Sequence, residues 1–304
     1  MSIVSAKASA VGTETAASPV VAARRKVPGR IVAVGDLHGD LKAAIGAFKL
    51  AKVLDATRKW IGGNSVVVQT GDVLDRGDEE RALLEWLNKV AERAHALGGE
   101  LLRLNGNHEV MNVGGNLRYV SASGFSDFAA ELTSPVPPAL ASVPERARGR
   151  MMAFLPGGSW AKRLSQFPVV LIVNDTVFAH GGVRPSHVDY GIDRMNAEIA
   201  AWMKGDAALP QALSGDDSPF WIRDYGDDVS EASCTALDVV LKRLSATRLV
   251  VGHTPQKHGI SFACGGKVAR IDVGLSSYYG NRAPTVLEIQ GGKVTVLDGA
   301  GASP

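Results

Sequence analysis

Cysteine is nearly missing from this chain of 304 residues: there are 2, Cys234 and Cys264. Two thiols make no disulfide framework, and their separation matches no zinc-ligand spacing. Two buried thiols in a reducing compartment are the favoured expectation, and a single Cys234–Cys264 bridge is the alternative. A dominant sign of charge is missing too. The 33 basic and 31 acidic residues leave a formal net charge of +2, so no general electrostatic pull toward nucleic acid or an anionic membrane surface is expected. Aromatic residues are 6% of the chain. Trp60, Trp86, Trp160, Trp202 and Trp221 do not interleave with basic residues as a base-stacking platform would. No apolar run is long enough to span a bilayer, and no internal repeat is visible.

Residues 1–29 are poor in acid. Glu14 stands alone, and Arg24, Arg25, Lys26 and Pro28 close the stretch. With no regular apolar period, this segment is expected to be a disordered tail. Its basic, hydroxyl-rich composition also suits an organelle transit segment, which would place the chain in a plastid or mitochondrion rather than the cytoplasm.

Glycine, by contrast, is plentiful at 34 residues, and several glycines sit where apolar runs stop. Residues 31–34 form such a run and end at Gly35-Asp36, the pattern of a buried strand. Asp40 then caps a helix with Leu41, Ala44, Ile45, Phe48 and Ala51 as its apolar positions. Residues 66–68 lead to Gly71-Asp72, and a helix over about 79–97 closes at Gly98-Gly99. Residues 101–104 run into Asn105-Gly106-Asn107-His108. A hairpin is expected over 169–179 around Asn174-Asp175, with helices over 189–203 and 231–244. Residues 249–251 lead to Gly252-His253. Strands over 268–273, 286–289 and 293–297 follow. The alternation of strand and helix argues for an α/β architecture.

Five of these strands end in a residue that can bind metal or move a proton. Asp36 and His38 follow the first, Asp72 and Asp75 the second, Asn107 and His108 the third, His180 the fourth and His253 the fifth. In an open α/β sheet such ends share one edge, where sites are built. A lone Asp-x-His is commonly a turn with a satisfied imidazole; five strand ends of one kind outweigh that reading. Oxygen and imidazole donors without thiolate suit manganese, iron or zinc in a dinuclear centre.

The segments Gly35-Asp36-Leu37-His38-Gly39, Gly71-Asp72-Val73-Leu74-Asp75-Arg76-Gly77 and Gly106-Asn107-His108-Glu109 resemble the signature motifs of the phosphoprotein-phosphatase family of calcineurin-like metallophosphoesterases. His180-Gly181-Gly182 and Gly252-His253-Thr254 resemble its later metal-binding motifs. The segments Trp60-Ile61-Gly62-Gly63 and Glu109-Val110-Met111-Asn112, the latter running on through Arg118-Tyr119-Val120, look like the Shewanella-like branch. The resemblance implies that Asp36 and His38 bind one metal, that Asp72 bridges two, and that Asn107, His180 and His253 complete the second. It implies a bridging water sharpened to hydroxide, His108 as general acid, Asp75 as its orienting partner, and Arg76 as a phosphate ligand. A second phosphate-binding arginine is expected in the later half. Arg223 is the candidate, after the apolar anchor Phe220-Trp221-Ile222, and Arg184 is its main rival.

The fold implied is a two-sheet sandwich flanked by helices over residues 30–300, with insertions at roughly 110–165 and 183–245 forming a helical cap. The function implied is hydrolysis of a phosphomonoester on a protein, phosphotyrosine or phosphoserine/threonine, with no nucleic-acid or membrane partner. Dinucleoside-polyphosphate hydrolysis is the alternative enzyme, and an inactive metal-binding scaffold the alternative of another class. His95, His187 and His258 are expected to be surface or supporting residues, and Tyr278 and Tyr279 packing residues near the rim.

Overall fold

The computed structural model describes residues 22–299. The chain opens with β1 (Arg24–Arg25), β2 (Ile31–Val34), α1 (Leu41–Leu50), β3 (Val66–Gln69), α2 (Glu80–Ala96) and β4 (Glu100–Arg103). A helical stretch follows: α3 (Asn107–Val113), α4 (Ala122–Ser126), α5 (Glu145–Phe154) and α6 (Ser159–Leu164). Next come β5 (Val170–Val173), β6 (Thr176–Ala179), α7 (Pro185–Tyr190), α8 (Ile192–Lys204) and α9 (Glu231–Leu244). The chain closes with β7 (Arg248–Val251), β8 (Ser261–Ala263), β9 (Val268–Arg270), β10 (Thr285–Gln290) and β11 (Lys293–Asp298).

The strands form a five-stranded sheet in the order β11-β10-β2-β3-β4 and a six-stranded sheet in the order β1-β5-β6-β7-β9-β8. Side chains alternate between the faces of a strand, and the burial follows that period of two. Ile31, Ala33, Val66, Val68, Leu287 and Ile289 of one sheet pack with Leu171, Val173, Phe178 and Val250 of the other as a single cluster between the sheets. Their neighbours Val32, Val34, Val67, Val177, Ala179 and Val251 face outward onto a second cluster that includes Phe48, Leu83 and Leu87 of the helices. Strands buried on both faces need continuous apolar runs, which is why these segments are legible as strands. The parallel sets β2-β3-β4 and β6-β7-β9 turn their carboxyl ends to one side of the sandwich, and the insertions lie over that side.

The local signals at α1 behave as expected. Asp40 caps it by accepting from Ala43 N at 2.8 Å, and its other oxygen accepts from Ser277 N at 2.8 Å. Two expectations are corrected. Residues 1–21 lie outside the described residues, but the expected disorder does not extend to residue 29: Arg24-Arg25 adds to the edge of the six-stranded sheet, parallel to Ile172-Val173. A basic pair can do so because a sheet edge offers backbone hydrogen bonds irrespective of side chain; Ala23 is buried beside it. The favoured pair of free thiols is also corrected. Cys234 on α9 and Cys264 after β8 form a disulfide, with Cα atoms 5.1 Å apart, because α9 packs beside the β8–β9 hairpin.

Candidate active site

The loops leaving β2, β3 and β4 in one sheet meet those leaving β6, β7 and β9 in the other. Asp36, His38, Asp72, Asp75, Asn107, His108, His180 and His253 are all buried there. The backbone is unusually contorted: φ is 40° at His38, 56° at Asp72, 68° at Asp75, 71° at Arg76 and 69° at His253. Left-handed conformations at non-glycine residues are unfavourable and persist where surrounding structure over-determines them.

Glu109 supplies much of that determination. Its Oε2 accepts from Asp72 N at 2.8 Å and Gly106 N at 2.7 Å, and its Oε1 accepts from Val73 N at 2.9 Å and Leu74 N at 3.1 Å. Close approach does the rest. A Cβ on Gly106 would lie 2.2 Å from Asp72 Oδ1, and one on Gly252 would lie 2.3 Å from Asp36 Oδ1. These glycines are spacers that let the carboxylates turn inward.

Asp72 is the hub. Its Oδ1 accepts from His108 N at 2.9 Å, while Oδ2 lies 3.3 Å from His180 Nε2, 3.7 Å from His38 Nε2 and 3.8 Å from His108 Nε2. Two groups of potential ligand atoms share it: His38, Asp72 and His108, and Asp72, His180 and His253, each within 4.8 Å of one another. Asp36 belongs to neither group; its carboxylate accepts from His253 N at 3.1 Å and 3.3 Å and interacts with the Asp272 carboxyl.

The donor set fits cations. His180 donates Nδ1–H to Thr70 O at 2.9 Å, which turns its Nε2 toward Asp72 and Asn107, and against the effect of burial the Asp72 carboxylate raises its pKa. That nitrogen is 2.8 Å from Asn107 Oδ1, which is also 2.9 Å from His253 Nδ1. Oxygen and imidazole nitrogen gathered this closely form a set that a cation can share, and an imidazole fixed by a hydrogen bond on its far nitrogen is the usual form of a metal-binding histidine. His38 is fixed in the same way by Leu74 O at 2.9 Å.

Electrostatics separates the imidazoles. Burial pushes His38 down to about 3 and His253 down to about 2, the neutral form a metal requires. Burial also acts to lower His108, but the carboxylates of Asp72 and Asp75 outweigh it and raise its pKa. Burial alone would lift Asp72, yet the imidazoles of His180, His108 and His38 hold it well below the usual range. Asp36 is pushed up by burial, then by Asp272 and Asp72.

His108 Nδ1 donates to Asp75 Oδ2 at 2.6 Å. His108, Asp72, Asn107 and His253 line a cavity of about 60 Å³ together with Arg76, Arg223, Tyr119 and Trp221. Arg76 lies among the rings of Tyr119, Tyr278 and Tyr279, 5.2–5.5 Å from their centroids. Arg223 is steadied by Thr254 Oγ1 at 2.9 Å. Its rival Arg184 is committed elsewhere: it forks onto Asp224 at 2.6 and 2.7 Å and reaches Asp217 at 2.6 Å. His187 donates Nε2–H to Asp217 O at 2.8 Å and supports that arrangement.

The sequence motifs include Glu109 and Tyr119 but assign them no role, and they leave out Asp272. Asp272 was legible in principle, since it comes just past the end of a strand (Val268–Arg270) as Asp36 comes just past residues 31–34, but Arg270 interrupts the apolar run and the expected strand over 268–273 includes Asp272. Glu109 carries no signal of its own beyond its place after Asn107-His108.

Fold and site together are those of a phosphoesterase with buried metal-competent clusters, and residues 29–257 match the calcineurin-like phosphoesterase family. The chain belongs to that family and is a phosphoester hydrolase. More particularly, it is 37% identical to Shewanella-like protein phosphatase 2 of Arabidopsis thaliana, over 89% of this chain and 78% of that one. An uncharacterized protein of Schizosaccharomyces pombe is 34% identical over 86% of this chain and 78% of its own length. Among solved structures, the cold-active protein-tyrosine phosphatase of a psychrophilic Shewanella species shares the fold, with a TM-score of 0.70 at 23% identity over 91% of this chain and 83% of that one.

Glu109 offers a direct test of this scaffold. In Glu109→Gln an amide N–H₂ replaces one acceptor against backbone N–H donors, so two buried donors lose their partner. The substitution is expected to destabilise the protein by about 1–3 kcal/mol, read as a lower urea midpoint at unchanged slope.

Proposed function

We propose that this hydrolase is a protein phosphatase that cleaves phosphomonoesters on tyrosine or on serine/threonine. The observation that carries this reading is the composition of the small cavity: the imidazole of His108 and the guanidinium groups of Arg76 and Arg223 line it together with the metal-competent Asp72, Asn107 and His253. Similarity to Shewanella-like protein phosphatase 2 supports a phosphoprotein as substrate. So does a groove of about 370 Å³ that shares Tyr119 and Trp221 with the cavity and continues past Met111, Asn116 and Asp216. It offers room for the chain flanking a phosphorylated residue.

Asp36, His38 and Asp72 would hold one cation, and Asp72, Asn107, His180 and His253 a second, with manganese, iron or zinc suited to these donors. Such a pair, when bound, supplies charge neutralisation and an activated water for in-line attack on phosphorus. The remaining work belongs to side chains. Arg76 and Arg223 orient the phosphoryl oxygens that the cations do not reach, through the forked geometry of guanidinium. His108 carries the proton that the departing alkoxide or phenoxide takes up, and Asp75 keeps Nδ1 engaged so that Nε2 faces the cavity. Tyr119 and Trp221 narrow the entrance and limit water around the reacting bond.

A side-by-side assay tests the substrate class, using a phosphotyrosyl peptide, a phosphoseryl peptide and diadenosine tetraphosphate with manganese added. Turnover of either peptide well above the dinucleotide is expected; the reverse ranking would overturn the reading. Replacing the proton donor separates its role from that of the metal ligands. His108→Asn should retain bound metal yet lose roughly 10²–10⁴ in rate on an ester with a poor leaving group, with a much smaller loss on 4-nitrophenyl phosphate; equal losses on both would remove His108 from this role. Arg223→Lys should weaken competitive inhibition by inorganic phosphate about as much as Arg223→Ala does, because an ammonium lacks the fork. Arg184→Ala should leave that inhibition constant unchanged.

A further inference from the structure

The largest fully buried side chain outside the metal cluster is a cation that neither the motifs nor the cavity lining includes. Arg150 lies on α5, within the insertion between β4 and β5, and its exposure is 0%. A buried guanidinium is tolerated only if its donors are satisfied and its charge is compensated. Here all five N–H donors have acceptors. Nε–H goes to Asn112 Oδ1 at 2.8 Å. Nη1 goes to Glu80 Oε2 and to Gly124 O, the latter at 2.8 Å. Nη2 goes to Glu80 Oε1 at 3.0 Å and to Asp75 Oδ1 at 3.2 Å. The rings of Phe128 and Phe154, each 5.1 Å away, close over the group.

The arrangement points at the proton donor. Asp75 Oδ2 accepts from His108, while Oδ1 accepts from Arg150 and from Asn112 Nδ2 at 2.9 Å. Asn112 is itself held by Arg150 through its other amide atom. Glu80, the second carboxylate on Arg150, accepts from Asp75 N. On the side away from His108, both partners of Asp75 Oδ1 are therefore either Arg150 or a group that Arg150 holds. Gly124 shows how tightly this is built, because a Cβ there would come 2.7 Å from Glu80 Oε2 and 3.2 Å from Arg150 Nη1.

We propose that Arg150 is a positioning residue for phosphoester cleavage: reaching in from the helical insertion, it locks the Asp75 carboxylate so that Oδ2 meets His108 Nδ1 and the imidazole presents Nε2 to the leaving oxygen. Without the guanidinium, Asp75 and Glu80 are two buried carboxylates with no shared cation. One takes up a proton or turns away, and His108 loses the partner that orients it. The insertion is then part of the proton-transfer apparatus as well as a wall of the groove. This inference rests on His108 as proton donor, and the test keeps the two apart.

Arg150→Met and the double variant Arg150→Met/Glu80→Gln are compared with His108→Asn and the unaltered protein, on 4-nitrophenyl phosphate and on phenyl phosphate. The double variant removes the Arg150 and Glu80 charges together and leaves Asp75 with His108 and Asn112 as partners, so the net buried charge is not changed. Circular dichroism and metal content are measured on each. The expected result is a loss of roughly 10–10² in kcat on phenyl phosphate, a few-fold at most on 4-nitrophenyl phosphate, and little change in KM on either. Arg150→Lys, which keeps a charge but not five donors, is expected to fall between. A folded double variant that loses the same factor on both substrates, or loses nothing, overturns the proposal and leaves Arg150 as a brace of the insertion. Equal losses in His108→Asn would instead overturn the assignment of the proton donor, and the Arg150 proposal with it.

Discussion

A carboxylate as buried as Asp72, 2% exposed, stays ionised only where positive charge or hydrogen-bond donors surround it. The arrangement of this molecule follows from that constraint. Imidazoles from three different loops converge on Oδ2, and a backbone N–H from α3 holds Oδ1. For the carboxylate to face them, its own backbone must turn into the left-handed region. That turn needs Glu109 to gather the exposed N–H groups of residues 72–74, and it needs glycine at 106 because any larger residue would occupy the space of Oδ1. One electrostatic requirement thus fixes a side chain, a strained turn and a glycine on separate parts of the chain.

The insertions add what the strand-end loops cannot reach. Loops leaving buried strands point inward, so their metal-competent side chains lie near the floor of the cavity. Groups that roof the cavity come from above. Tyr119 lies between α3 and α4, and Trp221 and Arg223 lie between α8 and α9, and together they close the cavity. The disulfide between α9 and the segment after β8 ties the last of these helices to the sheet that delivers His253.

Much of this was legible in the sequence, and the reason is burial on both faces. β2, β3, β6 and β7 read as apolar runs because each face has its own core, and the residue at which a run stops is the residue that enters the site. Asp36, Asp72, His180 and His253 were visible for that reason. Asn107 and His108 were visible too, although they open α3 and do not simply end a strand. Long-range partners were not visible. Arg150 lies 75 residues from Asp75, on a helix whose sequence is basic and weakly patterned, so nothing local distinguishes a buried arginine from a surface one. The pairing of Cys234 with Cys264 was hidden for the same reason: spacing along the chain does not say which helix packs beside which hairpin. Arg24-Arg25 was misjudged because an edge strand of two residues is held by backbone bonds that leave no side-chain pattern.

The two metal-competent clusters around Asp72 differ in how they depend on the fold. His38, Asp72 and His108 all come from loops of the five-stranded sheet, where in-register pairing of β2, β3 and β4 sets their spacing directly. His180 and His253 come from the six-stranded sheet, so their distance to Asp72 and Asn107 is set by how one sheet packs on the other. The cluster of Ile31, Val68, Leu171, Phe178 and Val250 between the sheets does that setting. Two hydrogen bonds refine it across the gap, His180 Nδ1 to Thr70 O and His253 N to Asp36. Packed cores resist small displacements because their side chains interlock at near-crystalline density. The interior of the sandwich, which touches no substrate, is thereby what holds the second group of ligands in register with the first.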